Sequence, residues 1–372
     1  MDYLKKYFLI VLFSGLLLIP FINSNIGFWE FDRKDENRVF TDLVQLDINR
    51  LDKFPKHFES YLQDNFSFRT PLLSLYHHLK FKVLKVSPYP DRTVIGKEGW
   101  FFVSAEEKKV YEGLLDFNDE EIKAFTREWL DRKSKLKQMG IKMYWLISPM
   151  KHYVYEDYLP YTFFKSTKRR VEYITDEINK LDSNLVIDPS NELIKNREQA
   201  NLFYKLDNHW SLQAGSITSQ LVVKRLVKDL PEQTIPVVEN IVWKDSICSA
   251  GIHYDVLGVN YLSEVRKYPT ELNYLDLEVD KYNFPIIEGF PYPWDYERRF
   301  INKDAPNKLK LLVIRDSFGD QVIPFLTQSF YESVFIFDDW QYNLNEDIIM
   351  EYQPDIVIYL SSEPLIRSII DD

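Results

Sequence analysis

A serine three residues beyond the end of an apolar run is the first residue whose type and place could do chemistry. Residues 311–314 read Leu-Leu-Val-Ile, and Arg315, Asp316 and Ser317 follow at once. The pattern predicts a buried strand that ends in a turn, where backbone N–H groups surround an exposed hydroxyl. Such a hydroxyl can attack an acyl group while the N–H groups stabilise the oxyanion. A turn in which Ser317 only caps the next helix explains the same residues.

A serine nucleophile needs a base, and one of the six histidines has a suitable setting. His209 lies in Tyr-Lys-Leu-Asp-Asn-His-Trp-Ser at 204–211, two residues after Asp207. In an extended stretch these two side chains point to the same side, so the carboxylate can hold the imidazole in the tautomer that accepts a proton from serine. The alternative is a turn in which Asp207 caps backbone groups and His209 packs beside Trp210. No His or Cys cluster completes a metal shell, so we predict neither metal nor cofactor.

Three further side chains are predicted to line a groove for the molecule that accepts the acyl group from the serine. Trp210 lies beside His209, and an exposed indole can stack on a sugar ring. Lys151 and Tyr155 follow an apolar run that is predicted to end at the same edge of the sheet as the serine strand. Packing in the core or contact with water explains these three residues equally well.

The elements that would position these residues alternate between strands and helices after residue 91. Apolar runs predict strands at 93–95, 100–103, 141–148, 185–187, 309–314, 333–337 and 355–360. Helices are predicted at 119–140, 168–182, 211–227, 320–329 and 344–351. This alternation is typical of an α/β domain with a mostly parallel sheet. Residues 245–303, rich in Tyr and Pro, are predicted as a loop-rich insertion or as part of a substrate surface.

The amino-terminal residues have the pattern of a membrane-targeting segment. Lys5 and Lys6 precede an uncharged apolar run at 7–22, and no Ala-x-Ala follows Pro20. This favours a retained transmembrane signal anchor over residues 1–28 rather than a cleaved signal peptide. The positive-inside rule places the chain beyond residue 28 outside the cytoplasm. Residues 29–90 are predicted as a helical lead-in segment, and residues 91–372 as the catalytic domain.

Composition excludes several classes of protein. The chain has 46 Lys plus Arg against 57 Asp plus Glu, a formal net charge of −11, so broad binding to nucleic acid is excluded. A single cysteine, Cys248, excludes an intrachain disulfide framework. The negative charge also opposes a strongly anionic polymer, unless Lys151 or Arg315 supplies local positive charge.

Several motifs together resemble the alginate O-acetylase branch of the SGNH hydrolase superfamily. The first two are Asp-x-His-Trp at 207–210 and Arg-Asp-Ser-Phe at 315–318. Similar stretches lie at 94–102, 147–155 and 354–358, so the resemblance covers roughly residues 54–366. It implies an SGNH-like three-layer α/β fold with circularly permuted motif order.

The resemblance also implies roles for single residues. Ser317 would be the nucleophile, His209 the base and Asp207 the acid that orients it. The usual glycine before Asp-Ser is Arg315 here, which makes the oxyanion hole harder to assign beyond the Ser317 N–H. Arg315 either binds an anion or, as we favour, pairs with an acidic neighbour.

The activity that the resemblance implies is O-acetyl transfer outside the cytoplasm, through a serine ester, to a hydroxyl of an exopolysaccharide or cell-surface glycan. The expected partner is a membrane-bound O-acyltransferase that supplies the acetyl group, and the expected location is the inner membrane with a periplasmic catalytic domain. Two alternatives remain: an acetyl esterase with the same three residues, and a non-catalytic glycan-binding adaptor of a polysaccharide assembly complex.

Overall fold

The computed structural model of the protein describes residues 2–29, 41–42, 51–249, 262–272, 274–279 and 284–370. The chain forms two compact units, Met1–Pro88 and Tyr89–Asp372. Parts of the predicted lead-in segment, at 30–40 and 43–50, lie outside the described residues, as do parts of the predicted insertion at 250–261, 273 and 280–283.

The first unit is helical over most of its described residues. Its helices are α1 (Asp2–Ile26), α2 (Phe54–Asn65) and α3 (Arg69–His78), and a π-helical turn, Leu79–Val83, continues α3. Within the predicted lead-in segment, 29–90, α2 and α3 are helices at 54–65 and 69–78. No helix in the described part of the chain is both long and apolar enough to cross a membrane. The predicted transmembrane anchor over residues 1–28 is thus not supported, although a helix forms there.

The second unit contains all the predicted site residues. Its strands are β1 (Thr93–Ile95), β2 (Phe101–Val103), β3 (Lys142–Ser148), β4 (Val186–Ile187), β5 (Trp243–Cys248), β6 (Glu264–Pro269), β7 (Glu278–Val279), β8 (Glu297–Ile301), β9 (Lys310–Arg315), β10 (Glu332–Phe337) and β11 (Ile356–Ser362). Its helices are α4 (Ala105–Tyr111), α5 (Asp119–Gln138), α6 (Lys151–Val154), α7 (Arg170–Leu181), α8 (Ser190–Asn196), α9 (Leu212–Asp229), α10 (Ile323–Leu326) and α11 (Glu346–Tyr352).

A central sheet runs through the described part of this unit in the order β4-β3-β11-β9-β10-β8-β7. The neighbours from β4 to β10 are parallel, and β8 pairs antiparallel with both β10 and β7. The central strands are continuous apolar runs because both of their faces are buried: Leu311 and Val313 pack with one core cluster, whereas Leu312 and Ile314 pack with the other. The predicted α/β fold with a mostly parallel sheet is confirmed.

Helices cover both faces of the sheet, which gives three layers. Apolar residues of α9 and α10 belong to the core cluster on one face, and those of α5, α7 and α11 to the cluster on the other. Ser211 caps α9 as predicted, because its hydroxyl accepts hydrogen bonds from the N–H groups of Gln213 and Ala214.

Two predictions for this unit need correction. Residues 245–303 are more regular than expected. β5, which begins just before them, pairs with β6, and β7 and β8 extend the central sheet. Dense Tyr and Pro hid strands that are buried only in part. The helix predicted at 320–329 is only the short α10, preceded by a 3-10 turn, Ser317–Gln321. Pro324 lies in the first turn of α10, which proline tolerates.

Candidate active site

The structure brings Ser317, His209 and Asp207 into one chain of hydrogen bonds at the carboxyl edge of the central sheet. Ser317 Oγ lies 2.8 Å from His209 Nε2, and His209 Nδ1 lies 2.7 Å from Asp207 Oδ1. A carboxylate can only accept, so Nδ1 carries the proton and donates it to Asp207, while Nε2 accepts from the serine hydroxyl. This is the tautomer that a general base for serine requires.

The turn that carries Ser317 is fixed from below by the residue before it. Asp316 follows β9 and is fully buried, and its side chain accepts a hydrogen bond from the Phe318 N–H at 2.8 Å. Its other oxygen accepts from the Tyr342 hydroxyl at 2.6 Å and from the Ser362 N–H at 2.7 Å. The carboxylate thus connects the nucleophile turn to the end of β11 and to the loop after β10.

The stretch that carries the base is joined directly to this turn. The indole N–H of Trp210 donates to the Phe318 carbonyl at 2.7 Å, and the Phe318 ring lies 4.8 Å from the His209 ring. The Tyr204 N–H donates to the His209 carbonyl at 3.2 Å. Helix α9 begins at once after this stretch. These contacts set the separation of His209 from Ser317.

The charges around His209 favour its protonated form. Burial alone lowers the pKa of the imidazole, but the hydrogen bond to Asp207 and its negative charge, with Asp316 and Asp320, raise that pKa above its ordinary value. The His209 side chain is still 22% exposed. A base of this kind can take a proton from the serine hydroxyl and then donate it to the leaving group of a substrate that binds from the solvent.

The predicted acceptor groove needs correction, because all three of its proposed side chains are buried among other groups. Trp210 is fully buried and uses its N–H within the site, so its face is closed to a sugar ring. Tyr155 stacks on Trp100 with ring centroids 4.4 Å apart, and its hydroxyl accepts from the Leu202 N–H at 3.1 Å. Lys151 is 2% exposed and donates to main-chain carbonyls, and burial lowers its pKa to about 7.

Arg315 pairs with acidic neighbours, which is the role that we favoured for it over anion binding. Its fully buried guanidinium lies 3.0 Å from Asp295 and 3.0 Å from Asp320. A Cβ at Gly319 would lie 2.6 Å from the Arg315 side chain, so glycine is needed for this packing. With both carboxylates already on the guanidinium, Arg315 is not open to a ligand.

Sequence reasoning missed several residues next to the predicted three. The clearest is Asp316, whose place before the serine was a usable signal. No pattern in the sequence indicated a role for Tyr342, because it lies in an irregular loop. The backbone of this loop is left-handed at Asp339, Trp340, Tyr342 and Asn345. Glu107 was missed as well: burial raises its pKa to about 7, against the lowering effect of His209 and Lys151. No group of three His, Cys, Asp or Glu side chains suited to a metal occurs among the described residues.

Comparison with known proteins gives one family match and several similar structures. Residues 93–239 match the family model described as "SGNH hydrolase-like domain, acetyltransferase AlgX". The matched range contains Asp207 and His209 and ends before Ser317. No curated protein matches the chain in sequence.

Two solved structures share the fold. Bacillus cereus PatB1 has 16% identity and a TM-score of 0.51, over 74% of this chain and 97% of that chain. A DHHW family protein from Eubacterium siraeum has 13% identity and a TM-score of 0.50, over 76% of this chain and 93% of its own. A third structure, the O-acetyltransferase domain of Pseudomonas putida AlgJ, has 13% identity and a lower TM-score of 0.44, over 76% of this chain and 93% of its own.

Proposed function

We propose that this chain, whose residues 93–239 match the model of the AlgX-type SGNH hydrolase-like acetyltransferases, transfers acetyl groups to hydroxyls of an exopolysaccharide or cell-surface glycan. The family match identifies an enzyme of the acyltransferase or esterase type. The observation that carries the finer proposal is the continuous hydrogen-bond chain from Ser317 through His209 to Asp207. A non-catalytic adaptor has no need of that arrangement.

In the first half-reaction, Ser317 Oγ attacks the carbonyl carbon of an acetyl donor. The serine proton moves to His209 Nε2, and Asp207 stabilises the imidazolium that forms. The Ser317 N–H is the donor that we assign to the oxyanion. The bond to the leaving group then breaks, His209 protonates that group, and an acetyl ester remains on Ser317.

In the second half-reaction, a glycan hydroxyl takes the place of the leaving group. His209 removes its proton as the oxygen attacks the ester, and the proton returns to Ser317 Oγ when the acetyl bond to serine breaks. Hydrolysis is the second candidate, because water that enters in place of the glycan follows the same steps. The His209 side chain is 22% exposed, so the base is accessible from the solvent.

The location and the donor partner belong to the same proposal. Acetyl-CoA is a cytoplasmic donor, whereas an exopolysaccharide is modified outside the cytoplasm. We therefore place the catalytic unit in the periplasm beside a membrane-bound O-acyltransferase that supplies the acetyl group. The partnership predicts that cells acetylate the glycan only when they contain both proteins. Acetylation of the glycan in cells that lack the acyltransferase would contradict it.

The choice between transfer and hydrolysis is tested with the purified protein. A chromogenic acetyl ester is incubated with and without an acetyl-free oligosaccharide, and both free acetate and the oligosaccharide mass are followed. Transfer predicts an acetylated oligosaccharide that is lost in Ser317→Ala. Acetate release that is insensitive to the sugar, with no change in sugar mass, would identify an esterase instead.

A further inference from the structure

The amino group of Lys151 lies inside the second unit, beside the stretch that carries the acid and the base. Lys151 is the first residue of α6, just beyond the end of β3, and it is 2% exposed. Its Nζ lies within hydrogen-bond distance of four main-chain carbonyl oxygens, those of Phe101 (2.6 Å), Tyr204 (2.8 Å), Asp207 (3.0 Å) and Lys205 (3.2 Å).

Three of these carbonyls belong to residues 204–207, the stretch that ends on the orienting acid. Carbonyl oxygens that converge in a buried place repel one another and are removed from water, so a hydrogen-bond donor between them stabilises their arrangement. The lysine amino group supplies up to three N–H donors from a single point. The fourth carbonyl, on Phe101 of β2, ties this stretch to a strand, and the Phe101 N–H donates in turn to the Lys205 carbonyl at 3.0 Å.

The amide side of the same stretch is held by a second charged group. Glu264 Oε2 on β6 accepts from the Lys205 N–H at 2.5 Å and from the Leu206 N–H at 3.2 Å. The rings of Trp100 and Phe102 lie 4.9 Å and 5.0 Å from Lys151 Nζ and help to shield it from water. The path of residues 204–207 is therefore set by side chains from other elements.

We propose that Lys151 is a positioning residue of the active site: its amino group sets the path of residues 204–207 and thereby the orientation in which Asp207 holds His209 against Ser317. The inference rests on the proposed function, since it concerns the same three residues. Lys151 acts through the main chain of Asp207, so its loss affects the chemical step rather than substrate binding. A displacement of about 1 Å in such a group costs on the order of 100-fold in rate.

The test compares the full-length wild type with Lys151→Met and with a matched control, Lys310→Met. Methionine keeps an apolar stem of similar length but has no donor. Lys310 Nζ also donates to a main-chain carbonyl, that of Tyr352, at the opposite end of β9. We expect kcat for an acetyl ester to fall about 100-fold in Lys151→Met with KM within about twofold, and kcat to stay unchanged in the control. A Lys151→Met enzyme with kcat within about twofold of wild type would overturn the inference.

A second variant keeps the inference testable if Lys151→Met does not fold. Lys151→Ala lacks three carbons and the amino group, which propylammonium supplies. We expect propylammonium to raise kcat of Lys151→Ala at least about tenfold, and tetramethylammonium, which has no N–H donor, to leave it unchanged. Equal effects of the two cations would contradict the positioning role.

Labelling of Ser317 by a fluorophosphonate separates this inference from the proposed function. If wild type is neither labelled nor active on the ester, the proposed function has failed. If wild type is labelled and Lys151→Met is labelled at the same rate, only the role of Lys151 is wrong. Slower labelling of folded Lys151→Met than of wild type supports the positioning role of Lys151.

Discussion

At the scale of single residues, the site depends on two buried carboxylates with different tasks. Asp207 fixes the tautomer of His209 and favours its protonated form, whereas Asp316 receives three donors and fixes the turn beneath Ser317. Both acids are therefore expected to affect the chemical step, and the histidine between them determines how the rate depends on pH.

The pH dependence of kcat/KM should report the raised pKa of His209. The base must be neutral to accept the serine proton, so activity falls as pH drops through that pKa, and the acid limb should lie above the ordinary histidine value of about 6.5. Asp207→Asn removes a charge that raises the pKa, so the limb should move to lower pH while kcat falls about 10²-fold to 10⁴-fold. A pH–rate profile measures both effects, with exposed Asp304→Asn as control. An unmoved limb in Asp207→Asn would show that another group titrates.

Tyr342 should support the nucleophile turn through Asp316. Tyr342→Phe removes a hydrogen bond to a buried carboxylate, which is worth about 1.5–3 kcal/mol, so both the free energy of unfolding and kcat should fall. Tyr352→Phe is the matched control, since its buried hydroxyl donates only to the neutral Leu311 carbonyl at 3.4 Å. Denaturant unfolding and ester kinetics would reveal the difference. Equal losses of unfolding free energy and of kcat in the two variants would show that Tyr342 does not support the turn.

At the scale of elements, the site is assembled where α9 meets the nucleophile turn. A Cβ at Gly215 of α9 would lie 1.9 Å from the Gln321 carbonyl oxygen, so only glycine permits this close approach. The helix starts three residues after His209, and the 3-10 turn starts at Ser317. Their contact therefore helps to set the distance between base and nucleophile.

Gly215→Ala should move these two elements apart. We expect a loss of about 1–3 kcal/mol in the free energy of unfolding, typical of overpacking, together with slower labelling of Ser317. Ser219→Ala on the same helix is the control, because the buried Ser219 hydroxyl has no hydrogen-bond partner among the residues that the structure describes. If Ser317 of Gly215→Ala is labelled at the wild-type rate, the turn adjusts to the added methyl group without a change at the site.

The elements were largely predictable because their signals are local. The apolar run of β9 and the cap at Ser211 can be read within a few residues of sequence. The surroundings of Lys151 and Trp210 could not, because their partners lie 50 to 108 positions away in the chain. Exposure depends on such long-range packing, which is why all three residues predicted to line the acceptor groove are buried instead.

At the scale of the whole molecule, the charge of −11 limits the acceptor more strongly than the sequence alone indicated. Lys151 and Arg315 were the two local positive charges proposed to offset it. Both are buried, and their charged groups are occupied by carbonyls and carboxylates. Neither can attract an anionic polymer, so a neutral or weakly charged glycan fits the proposed activity better.

Acceptor preference should follow from this charge. At low ionic strength a neutral oligosaccharide should be acetylated faster than an oligouronate of equal length, because like charges repel over the screening length of about 30 Å at 0.01 M salt. The difference should narrow as salt is added. Competition between the two acceptors, followed by mass spectrometry, measures it. Preference for the oligouronate at low salt would contradict this expectation.

The central claim is that Ser317 carries the acetyl group, and trapping the ester tests it most directly. The full-length protein is mixed with an activated acetyl ester, quenched in acid, digested and sequenced by mass spectrometry. We predict one added acetyl group on Ser317 in the wild type, none in Ser317→Ala, and slower formation in His209→Ala. Turnover of the ester without any acetyl on Ser317, or equal turnover by Ser317→Ala, would contradict the account.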